Sequence, residues 1–183
     1  IDFTRKFACI YALGAAGKNR PNSLDSPDGK CRVSPDLADW SQYEKKLKAL
    51  GETFLAMEKD GVTLVGLQEV FDEQAVRQIL PTGWEVKTTA SVKDTPKIPQ
   101  HIGLAWKASV HQPKDFQPVM ALSSIGDRPL RPGLQFTVNL AGTDVDALVV
   151  HMKAGCRSVA MDAGKRPSEQ EACPILAQQV PVV

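Results

Sequence analysis

The stretch that decides the fold is Val62-Thr-Leu-Val-Gly-Leu-Gln-Glu-Val70. It is apolar almost without a break until Gln68 and Glu69, which is typical of a buried strand. Gly61 stands directly before it and ends the preceding segment. The strand therefore carries a carboxylate, that of Glu69, at its C-terminal end, where a side chain can project from the edge of a sheet into a cleft.

Helical and strand patterns surround this stretch. Apolar residues at intervals of three and four predict an amphipathic helix before it, with the stripe Trp40, Tyr43, Leu47, Leu50, Phe54 and Met57. The other predicted elements are a strand over residues 7–13, a long loop over 14–35, a helix over 72–80, strands over 84–90, 102–106, 134–140 and 145–152, and a helix over 168–180. This order predicts a mixed α/β fold whose sheet is covered by helices.

The composition restricts the class of protein. A chain of 183 residues that is 43% hydrophobic and 23% charged has the composition of a folded globular domain. A net charge of +1 disfavours a protein that holds DNA chiefly through a broad basic surface. No apolar run approaches the ~18 residues that cross a bilayer, so no membrane span is expected.

Four cysteines leave two interpretations open: Cys9, Cys31, Cys156 and Cys173. An even number permits disulfides in an exported protein, and the alternative is buried free thiols in a cytosolic one. A structural zinc site is disfavoured because the sequence has no Cys-x-x-Cys pair and only three histidines.

Three groups of residues could carry chemistry. Glu69 is either an oxygen ligand for a hard cation such as Mg²⁺ or a surface carboxylate in a turn. His151 follows two valines in an apolar strand, and it is either a satisfied, partly buried imidazole or a proton donor to a phosphate oxygen. Lys153 and Arg157 place cations nearby, as a phosphate site or any solvated loop would.

Five tracts, in order and at similar spacing, resemble the endonuclease/exonuclease/phosphatase superfamily, in particular its bacterial extracytoplasmic members. They are Val65-Gly-Leu-Gln-Glu69-Val70, Ile102-Gly-Leu-Ala-Trp106, Leu130-Arg-Pro-Gly-Leu134, Val149-Val-His151-Met-Lys-Ala-Gly-Cys156, and Glu171-Ala-Cys173-Pro-Ile-Leu-Ala-Gln178-Gln179. The resemblance runs from about residue 40 to the end of the chain.

The resemblance implies a four-layer α/β/β/α sandwich with two sheets face to face and a site at one end. It implies hydrolysis of a phosphate ester by a metal-activated water, with Mg²⁺ or Mn²⁺ as cofactor. Glu69 would bind the metal, and His151 would bind the phosphate or assist the leaving group. Lys153 and Arg157 would contact the substrate, which could be nucleic acid, a phospholipid headgroup or a small phosphate ester.

Two departures from the family pattern matter. The family's opening strand carries a Trp-Asn pair, which residues 7–13 lack. The family's later Asp-x-Asn and Ser-Asp-His tracts, which supply further catalytic groups, do not occur in these 183 residues. We therefore expect residues 1–183 to form the N-terminal part of a single domain, completed by a C-terminal half or a second chain. A catalytically inert binding or structural module of the same fold, or an unrelated secreted α/β domain, are the alternatives.

Three further predictions can be checked against the structure. Cys156 and Cys173 should form a disulfide, which would imply a secreted or periplasmic protein, and Cys9 with Cys31 is a weaker second pair because Cys9 also fits a buried strand position. Glu69 and His151 should lie in one cleft, on neighbouring strands of one sheet. The inner face of that sheet should be left bare by this chain alone and need a cover.

Overall fold

The computed structural model describes residues 40–95, 98, 100–126, 129–156 and 167–183. The elements within these ranges are α1 (Trp40–Lys59), β1 (Leu64–Val70), α2 (Glu73–Arg77), β2 (Trp84–Thr88), β3 (His101–Lys107), β4 (Lys114–Val119), β5 (Gly133–Leu140), β6 (Thr143–Val149) and α3 (Pro167–Gln179). The predicted strand over 7–13, the loop over 14–35, the pair Cys9 and Cys31, and Arg157 lie outside the described residues.

The first sheet is antiparallel, with strand order β1-β3-β2. Its central strand β3 is buried along His101–Trp106 because both of its faces are covered. On the outer face, α1 packs through Phe54, which meets the ring of Trp84 edge-on at a centroid distance of 5.8 Å. Among the described side chains of the predicted stripe, Phe54 is buried and Leu47, Leu50 and Met57 are half-buried, so this part of α1 faces the core as its periodicity predicts.

The second sheet is antiparallel, with strand order β4-β5-β6. Leu134, Phe136 and Val138 on β5 are buried, whereas the alternating Gln135 and Asn139 are exposed, so this sheet has one apolar and one solvated face. Residues 141 and 142 join β5 to β6, and both have positive φ, 51° and 88°. A two-residue hairpin turn of the primed type requires that conformation.

The two sheets pack face to face and enclose the main core. Ile102, Leu104 and Trp106 of β3 contact the inner residues of β5 and, through Ala147 and Val149, those of β6. The α/β class with two opposed sheets is therefore confirmed. The prediction that these strands form one sheet with a bare inner face is wrong, because the chain itself supplies the second layer.

Several element boundaries differ from the predicted ones. The helix expected over residues 72–80 is confined to Glu73–Arg77, with Asp72 as its N-cap accepting a hydrogen bond from the Ala75 backbone N–H at 2.7 Å. The strand expected over 145–152 ends at Val149, so His151 lies beyond it rather than within it. None of the helices in the described part of the chain has the length and apolar character needed to traverse a bilayer.

Candidate functional site

A β-bulge at the end of β1 sets the position of Glu69. Leu67 pairs with Gly103 and Val70 with His101, so three steps along β1 correspond to two along β3. Glu69 lies in this irregular stretch with a φ of 58°, in the left-handed region that non-glycine residues seldom adopt. Bulges re-aim side chains next to functional sites, and this one moves the Glu69 carboxylate out of the regular alternation of the strand.

Four strand ends meet around this carboxylate. The end of β1 pairs with the beginning of β3, where Gln100 and His101 lie. In the other sheet, Leu134 at the start of β5 pairs with Val149 at the end of β6. Arg131, just before β5, and His151, just after β6, therefore lie at the same end of the sandwich.

Glu69, His151 and Arg131 form a compact cluster at this end. The Glu69 Oε1 atom lies 3.7 Å from His151 Nδ1 and 3.9 Å from Arg131 Nη1. These separations are too long for hydrogen bonds but short enough for strong electrostatic interaction. The His151 and Arg131 side chains are about one fifth exposed, whereas that of Glu69 is 41% exposed. The carboxylate is thus the part of the cluster most accessible to a ligand.

Burial shapes the charges of the cluster. It lowers the pKa of the His151 imidazole, the cation of Arg131 lowers that pKa further, and the Glu69 carboxylate raises it. Burial also lowers the pKa of Arg131, which Glu69 partly offsets. At neutral pH the His151 imidazole is therefore predominantly neutral, beside the guanidinium of Arg131.

Two nitrogen atoms in the cluster, Arg131 Nε and His151 Nδ1, are buried and have no hydrogen-bond partner among the described residues. Buried polar atoms are normally satisfied, so such a pair next to an accessible carboxylate indicates a place for a polar or anionic group. The other side of Arg131 is held, because its Nη1 donates to Gln100 Oε1. This contact holds the Arg131 side chain in place while one of its N–H donors remains without a hydrogen bond among the described residues.

Backbone and side-chain contacts also hold the segment that carries His151. Gln68, next to Glu69, donates from Nε2 to the Val150 carbonyl at 2.6 Å and so links the two sheets directly beside the cluster. A pocket of about 330 Å³ lies alongside, lined mainly by apolar side chains of α1, β1 and α2, and Gln68 and Glu69 belong to its lining. The site is therefore concave on at least one side.

The remaining predicted site residues have distinct places. Lys153 Nζ lies 3.1 Å from Glu171 Oε1 on α3, so its ammonium is engaged there, and a substrate contact by Lys153 stays a prediction. The predicted disulfide between Cys156 and Cys173 is present and ties this segment to α3. Glu69 and His151 do lie side by side, but the prediction that they belong to one sheet is wrong, since β1 and β6 are in different sheets.

Sequence reasoning missed Arg131 and Gln100. Arg131 stands in the Leu130-Arg-Pro-Gly-Leu134 tract, which we used only as the start of a strand. A cation immediately before a proline and a buried strand was a usable signal, because it must lie at a strand end. Gln100 carries no sequence signal of its own, since its role follows only from its contact with Arg131.

The donor set suits a cation that keeps most of its water. Among residues 40–95, 98, 100–126, 129–156 and 167–183, no group of three or more His, Cys, Asp or Glu side chains could hold a metal. Mg²⁺ is commonly bound through one or two carboxylates together with waters and substrate phosphates. The single accessible carboxylate of Glu69 fits that mode and does not fit an all-protein cage.

Comparison with known proteins gives little. The chain matches no protein-family profile and no curated protein. Among solved structures, it is similar to humanized D. rerio TDP2 carrying 14 mutations, with a TM-score of 0.44 and 12% sequence identity. The match covers 60% of this chain and 41% of that one, so the chain spans less than half the length of that protein.

Proposed function

We propose that this chain carries part of a divalent-metal-dependent phosphodiesterase site, with nucleic acid as the first substrate to test. The supporting observation is the cluster in which the Glu69 carboxylate lies 3.7 Å from His151 Nδ1 and 3.9 Å from Arg131 Nη1. These three groups are complementary to a phosphodiester with its bound metal: the anionic Glu69 suits the metal cation, and the neutral imidazole and the guanidinium suit the phosphate. The resemblance of the tracts containing Glu69 and His151 supports the same reaction class.

Each residue has a separate role in this proposal. Glu69 would hold Mg²⁺ or Mn²⁺, and when bound the cation would act as a Lewis acid toward a phosphoryl oxygen. Arg131, whose side chain is about one fifth exposed, would bind a non-bridging phosphate oxygen through its guanidinium. His151 would donate a hydrogen bond or a proton to the phosphate or the leaving oxygen, which needs a proton on the nitrogen that faces the substrate.

Within the part of the chain that the structure describes, no third His, Cys, Asp or Glu side chain joins Glu69 and His151 to complete a metal site, and the roles proposed for these two leave the attacking water without a base. We therefore propose that such a base comes from a C-terminal half of the domain or from a second chain, and that residues 1–183 are the N-terminal part of that domain. The disulfide between Cys156 and Cys173 supports a secreted or periplasmic location in the same proposal.

The test is hydrolysis of bis-p-nitrophenyl phosphate and of plasmid DNA in Mg²⁺ or Mn²⁺, with EDTA as the metal-free control. Glu69→Gln preserves shape and removes the charge, so hydrolysis should fall by about 10²-fold or more, as loss of a metal-bound group implies. Glu85→Gln is the matched control, because Glu85 is an exposed carboxylate on β2 of the same sheet. Equal activity in Glu69→Gln and the wild type would contradict the assignment.

A binding module without turnover is the second candidate, favoured by the single carboxylate in the described cluster. It predicts that the 183-residue chain binds Mn²⁺ and inorganic phosphate through Glu69 and Arg131 but hydrolyses neither substrate. Adding the C-terminal remainder of the coding sequence distinguishes the two candidates. Activity that appears only with that remainder supports an enzyme, and its continued absence supports the binding module.

A further inference from the structure

Gln179, the last residue of α3, has a fully buried side chain that is hydrogen-bonded at both ends. It is 1% exposed, its Oε1 accepts from the Lys153 backbone N–H at 2.6 Å, and its Nε2 donates to the Leu122 carbonyl at 3.0 Å. Burying an amide costs free energy unless both ends are bonded. The neighbouring Gln178 differs, since it is exposed and bonds Pro174 O of its own helix, at 3.2 Å.

The segment that Gln179 contacts carries His151 and has no regular structure of its own. Residues 150–156 form neither helix nor strand, so no ladder of backbone hydrogen bonds fixes His151. Instead, His151 lies between two glutamine contacts. Gln68 bonds the Val150 carbonyl on one side, and Gln179 bonds the Lys153 N–H on the other. The first of these contacts comes from the residue next to Glu69.

We propose that Gln179 is a positioning residue that fixes His151 against Glu69 through the Lys153 N–H. Without that bond, the segment after His151 is free to turn about the Val150 contact, which would change the 3.7 Å separation of His151 from Glu69. Displacement by about 1 Å can cost on the order of 10²-fold in rate. The consequence for catalysis rests on the proposed function, whereas the structural effect on His151 does not.

Other contacts between α3 and this segment act further from His151. The disulfide joins Cys156 to Cys173, and Lys153 Nζ reaches Glu171. A disulfide fixes Cys156 but leaves the residues between it and His151 free to rotate, and an ion pair whose carboxylate is largely exposed, as that of Glu171 is, contributes little. Of the contacts that α3 makes with this segment, the buried hydrogen bond from the Lys153 N–H to Gln179 is the one nearest in sequence to His151. The positioning role is therefore assigned to Gln179.

Three variants separate positioning from mere stability. Gln179→Met keeps the approximate volume and removes both hydrogen bonds. Gln179→Glu keeps the acceptor for Lys153 N–H and loses the donor for Leu122 O, so it should destabilise the fold while preserving the contact that positions His151. Gln178→Met is the matched control, because it alters a neighbouring exposed glutamine whose hydrogen bond is to Pro174 O of its own helix.

The readouts are kcat and KM for bis-p-nitrophenyl phosphate, together with the His151 ring resonances in a heteronuclear NMR spectrum. In Gln179→Met we expect kcat to fall about tenfold or more with KM within about twofold, and the His151 resonances to shift. Gln179→Glu should lose thermal stability yet keep kcat and the His151 resonances near the wild-type values. Gln178→Met should match the wild type in every measurement.

The NMR readout keeps the inference separate from the proposed function. If the wild type does not hydrolyse the substrate, the proposed function fails, and the His151 resonances still decide whether Gln179 positions this ring. Unchanged His151 resonances in a folded Gln179→Met would overturn the inference. If Gln179→Met does not fold, the Gln179→Glu variant provides the test. His151 resonances that stay at their wild-type positions in this variant support the inference. His151 resonances at the positions expected for an unfolded segment overturn it.

Discussion

Replacing Arg131 by Met should have opposite effects on the two ligands of the proposed site. The Arg131 guanidinium faces the Glu69 carboxylate, and it would therefore repel a cation bound there while attracting the phosphate. Arg131→Met removes the charge and keeps an unbranched apolar side chain. We expect metal binding to become tighter and phosphate binding to become weaker, a pair of changes that general loss of structure would not produce.

The distance between the Arg131 guanidinium and the Glu69 carboxylate sets the size of the expected change in metal affinity. At 3.9 Å, two unit charges interact by about 4 kcal/mol at an effective dielectric constant near 20. The Glu69 side chain is 41% exposed, so solvent screening reduces the effect toward that of a surface pair, about 1 kcal/mol. Mn²⁺ binding should therefore tighten roughly fivefold, since 1.4 kcal/mol corresponds to about tenfold. Inorganic phosphate should bind about tenfold more weakly, since hydrogen bonds to charged groups contribute ~1.5–3 kcal/mol.

Isothermal titration calorimetry with Mn²⁺, and separately with inorganic phosphate, measures both effects on the 183-residue chain at low ionic strength. Lys114→Met is the matched control, because it removes one positive charge that is paired with Asp144 on the second sheet. Arg131→Lys should retain the wild-type Mn²⁺ affinity, since it keeps the charge, and lose part of the phosphate affinity, since it loses the planar fork. A folded Arg131→Met whose Mn²⁺ affinity equals that of the wild type would refute the reasoning.

The other predictions concern the fold. Phe136→Ala should destabilise the chain by about 3–5 kcal/mol in chemical denaturation because Phe136 is 2% exposed between the sheets, whereas the exposed Gln135→Ala should change little. Replacing both Cys156 and Cys173 by Ser should cost about 3 kcal/mol, and free thiols at both positions of the wild type in peptide mapping would contradict the pairing. Burial lowers the pKa of His101, so the stability that neutral His101 contributes is complete above its ordinary pKa and is lost as the pH falls through the lowered value. His101→Asn should reduce that acid sensitivity, and an unchanged pH dependence would show that other groups cause it.

Periodicity predicted the elements because it reports which side chains are buried. The stripe of α1 and the alternation in β5 are local patterns of this kind. The continuous apolar run of β1 predicted a buried strand, and that prediction is wrong, because β1 lies at the edge of its sheet and its side chains are half-buried or exposed. β4 was missed because Lys114, Asp115 and Pro118 lack such a pattern, and Pro118 suits an edge strand, which is where β4 lies. Periodicity does not say which layer covers a buried face, so the division of the strands into two sheets could not be predicted from it.

Only the site residues that stand in recognisable sequence motifs could be predicted. Glu69 and His151 stand in tracts with a recognisable pattern, and the structure brings them together. Arg131 and Gln179 depend on tertiary neighbours, because a guanidinium or an amide acquires its role from what it contacts. The bulge at Glu69 could not be predicted from the sequence either, because it arises from the way β1 and β3 pair rather than from the sequence of either strand alone.

The division into two sheets has a consequence for the site that a single sheet would not have. Glu69 lies on β1 of the first sheet, whereas Arg131 directly precedes β5 and His151 closely follows β6 of the second, so the distances within the cluster depend on how the two sheets pack. Gly66 lets the sheets approach one another near the cluster, because a Cβ at that position would lie 3.3 Å from both methyl groups of Val149. The core packing and the geometry of the proposed site are therefore set by the same contacts. A substitution that separates the sheets there would change the site even though it touches none of its residues.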